Sequence, residues 1–488
     1  MKSFIFVFVS QIIFYLLSYT FTWLIAKNFD PSTAGTYFLT FSIVTGIGIF
    51  VRWGWGQAVL RYCSQYIAID PIKARMFLIL VIKKVALRGV LALIFLVLLA
   101  KPVAIFYQNN YLVSALLGLS LFVLFKPLNE IIIQYLRIQG RVVFFALLQY
   151  ILTPVGKILS LFVAFIVAGS SLPALSFGVA ISELIVFVSA LYFTKLFFPL
   201  ITTTRTNNIC NLKDYDIVSY SKYIGINLFL VFLLNKSDII YVGQWLTSDQ
   251  IALYQVSKQV SFVTVLILSG FEPIVAPAIA REIGKGKKEL LIAGYQASIY
   301  YMGVLTIPVI MAIFFNGPFI LSFFGDFYMD GVMPMYILVC GQVVNIMTGQ
   351  AGYVLSMGGH AKLTLCNSII SLAITFSLAL LLTPIYELVG LAVAVAIGIG
   401  TINILKQIEA NRLEHIKWIN GEQIVYLFTW ASLSSCLFVL QKIFAKQLLG
   451  IIFVFFIYYL VVFYVEIIKQ AKMYKLLTKF LDIKIGHD

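Results

Sequence analysis

The sequence predicts an all-α polytopic membrane protein with about 14 transmembrane helices. Three observations predict it. The chain is 61% hydrophobic and only 11% charged, where a soluble domain carries about 25% charged residues, and its mean hydropathy is +0.99. Successive apolar stretches each reach the roughly 20 residues that a helix needs to cross a bilayer. Finally, positive charge alternates between successive loops. The expected spans are 4–26, 37–60, 76–100, 112–136, 142–168, 172–198, 219–243, 251–280, 291–315, 331–357, 362–383, 388–410, 422–441 and 448–469. With the N-terminus inside, the inner segments hold 23 basic residues and the outer loops only Lys27, Lys101, Lys442 and Lys446. The positive-inside rule then places both termini in the cytoplasm. The net charge of +15 follows from basic loops facing an anionic leaflet and implies no nucleic acid.

The elements follow in order. Span 4–26 is too long for a signal-peptide core and lacks an A-x-A-like end, so it reads as a retained helix. Span 37–60 carries Gly46-Ile47-Gly48-Ile49-Phe50-Val51-Arg52-Trp53-Gly54-Trp55-Gly56. Its glycines loosen the helix and allow close approach of a backbone or ligand. Arg52 is expected about 13 Å from the inner end, where it either lines a cavity or pairs with a distant acid. Span 76–100 holds Lys83, Lys84 and Arg88. Lys83 reads as a lysine that snorkels to the interface. Lys84 shares a face with Arg88, which lies about 18 Å from the outer end and is too deep to snorkel easily. Span 112–136 holds Lys126 and Glu130 at i, i+4, an ion-pair spacing, with Pro127 between them as an expected kink.

Lys157 is mid-span in 142–168 with no acid at helical spacing, and Glu183 is deep in 172–198. The inner loop 199–218 is rich in Thr and Asn. Span 219–243 contains Asn235-Lys236-Ser237-Asp238. Two residues apart, Lys236 and Asp238 must face different partners, or the helix unwinds there. Span 251–280 carries Lys258 one turn past Tyr254, and Glu272 before Pro273 near the inner end. Lys258 either snorkels outward or joins the interior charges. The loop 316–330 is the longest outer one. No loop has the roughly 50 residues of a folded catalytic domain. The five cysteines lie in spans or on the inner side, so no disulfide is expected.

Two internal matches imply a repeat. Leu172–Ser182 and Leu388–Gly398 share 5 of 11 residues at an offset of 216. Phe29–Tyr37 (FDPSTAGTY) resembles Leu246–Tyr254 (LTSDQIALY) at an offset of 217. They divide the chain into six-helix halves, 1–205 and 206–418, and a remainder, 419–488, of two helices and a basic tail. An even number of helices per half gives parallel repeats, a transporter plan with substrate between the halves.

The interior charges carry the chemistry. Arg52, Arg88, Lys157 and Lys236 are the main candidates for an anion-binding cavity, and Lys84, Lys126 and Lys258 the weaker ones. Asp238 and Glu183 lack an evident local base and are candidates for binding a coupling proton or sodium ion, or for pairing with the basic cluster. A surplus of cations suits an anion, and phosphate is the commonest such partner. No G-x-x-x-x-G-K-[ST], H-E-x-x-H or nucleophile elbow occurs, and the three histidines lie outside the spans. No catalytic residue, metal site or cofactor is therefore expected.

The segments Phe29-Asp30-Pro31 … Ala34-Gly35-Thr36-Tyr37, Asp238-Ile239-Ile240-Tyr241-Val242-Gly243 … Ala252-Leu253-Tyr254, and Gly358-Gly359-His360-Ala361-Lys362 … Pro384 … Gly390-Leu391-Ala392 carry a resemblance. In order and spacing they resemble the polysaccharide-transport branch of the multidrug/oligosaccharidyl-lipid/polysaccharide (MOP) exporter superfamily, above all the O-antigen (Wzx-type) flippases. The resemblance covers nearly the whole chain. It implies a V-shaped pair of six-helix bundles plus two helices. It also implies export of an undecaprenyl-diphosphate-linked oligosaccharide across the bacterial inner membrane, with a cationic cavity for the pyrophosphate. Membrane lipids, a polysaccharide polymerase and a chain-length regulator are the candidate partners. One departure is visible: the second repeat reads Ala252-Leu253-Tyr254 where a glycine is usual. Two rival readings remain. A cation-coupled multidrug-type exporter of the same superfamily needs an acid-dominated site. A membrane glycan polymerase or lipid-linked glycosyltransferase typically needs sizeable outer loops.

Overall fold

The computed structural model describes residues 2–169, 171–197, 215–285, 288–416, 418, 421–444, 447–468 and 481. Arg205, Lys213, Lys287, Lys417, Lys446, Cys210 and the basic tail from Lys469 lie outside the described residues. Among the described residues there is no strand. Twelve helices among the described residues are long and apolar enough to cross a membrane, and a bent pair makes up to 13. The protein is a multi-pass, all-helical membrane protein. Its spans expose large apolar side chains, such as Ile166 at 84% and Val167 at 78%. That surface suits lipid and would associate in water.

The chain forms two compact units, Met1–Ala252 and Leu253–Asp488. In the first, the spans are Val9–Asn28, Pro31–Arg52, Ile72–Phe106, Tyr111–Ile138, Val142–Val167, Leu172–Thr194 and Ile217–Ile240. Local sequence explains their starts. Asp30 caps the second span by accepting from the Thr33 amide at 2.9 Å, with Pro31 in the first turn. Asp70 caps the third by accepting from Ile72 N at 3.0 Å and Lys73 N at 3.1 Å, again followed by proline. Both use the orphan amides of a helix start. The start of the helix Ser248–Ser261 is capped reciprocally: Thr247 N donates to Gln250 Oε1 at 3.0 Å, and Gln250 N donates to Thr247 Oγ1 at 3.3 Å.

The second span corrects the expectation of one helix over 37–60. Its regular helix ends at Arg52, and Trp53 (φ 39°) and Gly54 (φ 75°) turn left-handed. Helix resumes at Trp55–Ala58, passes a π-helical turn at Val59–Cys63 and ends at Ile69. The cause is close packing on the seventh span. Ser221 Oγ donates to Trp53 O at 3.0 Å, and a Cβ on Gly54 would lie 2.3 Å from Ser221 O. Arg52 is thus the last residue of its helix, at a break, rather than mid-helix.

The fifth span contains a second π-helical turn, Leu147–Leu152, just before Thr153-Pro154. The seventh is a continuous helix, Tyr215–Val242, so Asn235–Asp238 is not unwound. Lys236 is exposed and Asp238 buried, on different faces as a spacing of two requires.

In the second unit, the expected span 251–280 is bent by 50° between Ser248–Ser261 and Thr264–Glu272. Ser261 Oγ donates to Lys258 O at 2.8 Å and Thr264 Oγ1 to Ser261 O at 3.0 Å, so hydroxyls compete for the helix carbonyls at the bend. The run Lys288–Ser322 leaves helical geometry at Asn316, two residues before Pro318. The expected spans 362–383 and 388–410 form one run, Lys362–Glu414, broken at Glu387 (φ 47°, ψ −124°). The C-terminal helices Gly421–Ile443 and Leu448–Val465 pack on Lys288–Ser322. Trp430 Nε1 donates to Tyr300 Oη at 3.0 Å and Tyr458 Oη to Val304 O at 2.9 Å.

Candidate functional site

Five helices of the first unit bring charges together inside the membrane-spanning region. The fourth span supplies the centre. Lys126, Asn129 and Glu130 fall at i, i+3 and i+4, which puts all three on one face. Glu130 receives two cations. Arg52, at the break of the second span, forms an ion pair with Glu130 Oε2, and Lys126 Nζ lies 3.9 Å from Oε1. Lys126 also reaches across to Glu183 of the sixth span, at 3.6 Å. Glu183 is fully buried. Asn129 Nδ2 holds it by donating to Glu183 Oε2 at 2.9 Å and to its backbone carbonyl at 2.9 Å.

A cavity of about 100 Å³ opens beside this network, lined among others by Phe41, Gly48, Phe122, Lys126, Glu130 and Lys157. Lys157 enters it from the fifth span, one turn past the π-helical turn. Its Nζ lies 4.8 Å from the Phe41 ring centroid and 5.7 Å from that of Phe122. Among the described residues Lys157 has no ion pair; ring quadrupoles hold the ammonium instead. Lys236 of the seventh span lies within electrostatic reach of Lys157, as do Lys126, Glu130 and Glu183. Four cations thus gather around two carboxylates. Such a site can hold an anion of about two charges in a region where water is scarce.

The structure sorts the candidates. Arg52 and Lys126 pair with Glu130 and Glu183, Lys157 lies within electrostatic reach of both carboxylates, and Lys236 lies within electrostatic reach of Lys157. Glu183 is therefore not without a base. Its partner lies 57 residues away on another helix, so spacing along one helix hides it. Arg88 is half-buried beside Lys84 on the third span, and Lys84 Nζ sits 4.3 Å from the Trp55 ring centroid. Neither of these two has an ion pair among the described residues, and neither joins the network through a contact. Lys258 belongs to the second unit and is 6% exposed, between the rings of Tyr254 and Phe262 at 5.9 and 5.6 Å. Asp238 is buried at 3%. Glu272 is exposed and bonds to the Tyr353 hydroxyl. Among the described residues no group of three or more His, Cys, Asp or Glu is placed to hold a metal.

Sequence reasoning missed Asn129, Phe41 and Phe122. Asn129 had a signal, its position three residues after Lys126 on the charged face. The two phenylalanines had none, because aromatics are abundant at 15% of the chain.

Comparison with known proteins agrees with this architecture. A family model described as polysaccharide biosynthesis protein matches residues 31–333. No curated protein sequence matches the chain. Among solved structures, lipid II flippase MurJ in an inward closed conformation superposes with a TM-score of 0.71 at 14% identity, covering 95% of this chain and 100% of that chain. An inward-facing multidrug resistance MATE family transporter of the MOP superfamily gives 0.64 at 13% identity, covering 86% and 95%. The Vibrio cholerae MATE transporter VcmN in its bent form gives 0.56 at 14% identity, covering 87% and 98%. At these identities the likeness is one of fold.

Proposed function

The chain belongs to the polysaccharide biosynthesis protein family, and from that premise we propose that it is a flippase for an undecaprenyl-diphosphate-linked oligosaccharide. In this reading it moves a surface-polysaccharide repeat unit from the cytoplasmic to the outer leaflet of a bacterial inner membrane. Both termini are cytoplasmic. The transport is alternating access between six-helix bundles, without covalent chemistry.

One observation carries the reading: Arg52 and Lys126 pair with two carboxylates inside the spans of the first unit, and Lys157 and Lys236 add two further positive charges within electrostatic reach of one another. Charges at this depth are costly and normally serve a partner or a wet cavity. A diphosphate diester carries about two negative charges that hydrocarbon cannot solvate, so fixed cations must replace its water. Arg52 offers a planar fork suited to two phosphate oxygens, and Lys157 a point charge. Arg88 and Lys84 provide further positive charge on the third span.

The test is transport in vesicles, together with surface glycan in cells. Arg52→Ala abolishes both while the protein stays in the membrane at normal abundance. Arg52→Lys keeps part of the activity, because charge survives and fork geometry does not. Lys83→Ala is nearly silent, since Lys83 is exposed. Normal surface glycan in an Arg52→Ala, Lys157→Ala double variant would overturn the reading.

The second reading is a cation-coupled exporter, favoured by the buried carboxylates Glu183 and Asp238. It predicts transport of cationic drugs and no dependence on Arg52.

A further inference from the structure

A second cavity of the first unit shares no lining residue with the cavity beside the charged network. It sits at the end that the charge pattern assigns to the outside. Two loops and a helix start build it: the turn after the third span, Tyr107-Gln108-Asn109-Asn110; the turn after the seventh, Gly243-Gln244-Trp245-Leu246-Thr247; and the first turn of the second span. The cavity measures about 490 Å³, within the range of small-molecule sites.

Its wall is pre-built by hydrogen bonds. Tyr107 Oη donates to Ile240 O at 2.7 Å. Asn109 Nδ2 donates to Thr36 Oγ1 at 2.9 Å and Ser248 Oγ at 3.0 Å, tying three segments together. Gly35 lets the second span approach, since a Cβ there would fall 1.7 Å from Ser248 O. These groups are committed to structure.

Others are not. The side-chain amides of Gln108, Asn110 and Gln244 make no hydrogen bond among the described residues, yet all three border the cavity. Gln108 is held in the left-handed region at φ 52°, a backbone state that costs energy and recurs at binding sites. Two aromatic side chains stand at the rim, Trp245 at 44% exposure and Tyr111 at 72%. Among the described residues no Asp, Glu, Lys or Arg lines the cavity.

This composition selects a ligand class. The absence of lining charge disfavours an ion. The polar lining disfavours an acyl chain, which better suits the apolar cavity of the second unit around Ile307, Ile310 and Leu427. Amides donate and accept at once, as a hydroxyl requires. Trp and Tyr offer a flat apolar face with a polar edge. A neutral pyranose has the matching surfaces: an apolar C–H face and a rim of hydroxyls.

We propose that this outer-end cavity is a sugar subsite that binds a neutral hexose or N-acetylhexosamine of the transported glycan. The assignment rests on the flippase reading above. It adds that the protein grips the glycan at a point separate from the diphosphate. Gln108, Asn110 and Gln244 bond the hydroxyls, and Trp245 stacks on the ring.

The test uses the full chain in lipid nanodiscs. Saturation-transfer NMR is recorded with free galactose, N-acetylglucosamine and rhamnose at millimolar concentration. Transfer to ring protons is expected from at least one sugar. It falls about fivefold or more in Trp245→Ala and in Gln244→Ala, and largely survives in Trp245→Phe. Thermal melting of each variant confirms that it is folded. A second arm measures vesicle flipping of undecaprenyl diphosphate bearing one sugar or a whole repeat unit. Gln244→Ala slows the repeat unit and leaves the one-sugar lipid unchanged. No transfer from any sugar, or undiminished transfer in both alanine variants, overturns the subsite. Wild-type protein that moves neither lipid but transfers saturation to sugars through Trp245 overturns the flippase reading and leaves the subsite standing.

Discussion

Substituting Lys126 by Met separates two roles that the charged network combines, stability and anion binding. Lys126 Nζ lies 3.6 Å from Glu183 Oε1, and Glu183 has 0% exposure. Removing one partner of a buried pair costs about 3–5 kcal/mol, because a charge is left without a counter-ion. Two features lower that figure here. Lys126 is itself 21% exposed, and Asn129 still donates to Glu183 at 2.9 Å, so about 2 kcal/mol is the reasonable expectation. For a cooperative unit the size of Met1–Ala252 this is a fall in Tm of about 4–8 °C.

The compensating change is Glu183→Gln. With Lys126→Met it replaces the ion pair by groups of similar volume, which is often neutral for stability. The double variant therefore melts within about 2 °C of the parent. It removes one cation and one carboxylate, so the surplus of positive charge is kept and transport measured without an imposed ion gradient is largely preserved. The single variant Lys126→Met loses charge and stability together. The assay pairs melting of nanodisc-embedded protein with vesicle transport. A double variant as unstable as Lys126→Met alone would show that the pair does not couple these helices. A Lys126→Met protein that melts normally would refute the burial argument itself.

Three further outcomes are expected. Gly35→Ala places a methyl 1.7 Å from Ser248 O, and since the clash is with backbone it lowers folded yield sharply, while Gly284→Ala, with nothing within 4 Å, is silent by melting. For topology, cysteines replacing Ser32, Asp326 and Ile385 label with an impermeant reagent in intact cells, whereas those replacing Asn207 and His415 label only after permeabilisation; reversal at one site identifies a miscounted helix before it. For coupling, Asp238→Asn and Glu183→Gln reduce transport driven by an imposed proton or sodium gradient, and unchanged gradient-driven transport in both removes the coupling proposal.

The spans were legible because each is a long, predominantly apolar run and because loop charge checks their order, although 12 or up to 13 helices meet the length and hydropathy of a span where 14 were expected. Breaks within spans were legible only in part. The glycines around Arg52 signalled a loosened helix, but the break at Trp53-Gly54 depends on Ser221 and Gly225 of the seventh span, which no local pattern reveals. The bend after Ser261 lacks proline and glycine altogether, and two hydroxyl groups mark it instead. Pairing followed the same division. Lys126 and Glu130 were visible as a pair because four residues make one helical turn. Arg52 with Glu130, and Lys126 with Glu183, join helices far apart in sequence, and a charge on one helix carries no local mark of its partner on another.

The geometry also explains why the cations are accompanied by acids at all. Four bare cations at this depth would repel one another and meet little water, which would disfavour the folded state. Full neutralisation would remove that cost and the affinity for an anion with it. The observed ratio avoids both extremes. Glu130 holds Arg52 and Lys126 together, so one carboxylate orients two donors for an incoming phosphate. Arg52 has five N–H groups and can bond an arriving oxygen without abandoning Glu130. Lys157 takes a different solution. Phe41 and Phe122 stabilise its ammonium through their faces and leave the formal charge uncancelled. On this view Lys157 supplies the uncompensated charge that draws the anion in, and Arg52 the geometry that holds it. Lys157→Gln should then slow substrate capture and raise the substrate concentration needed for half-maximal transport, whereas Arg52→Lys should lower the saturated rate. Identical kinetic defects in the two variants would show that the division of labour is wrong.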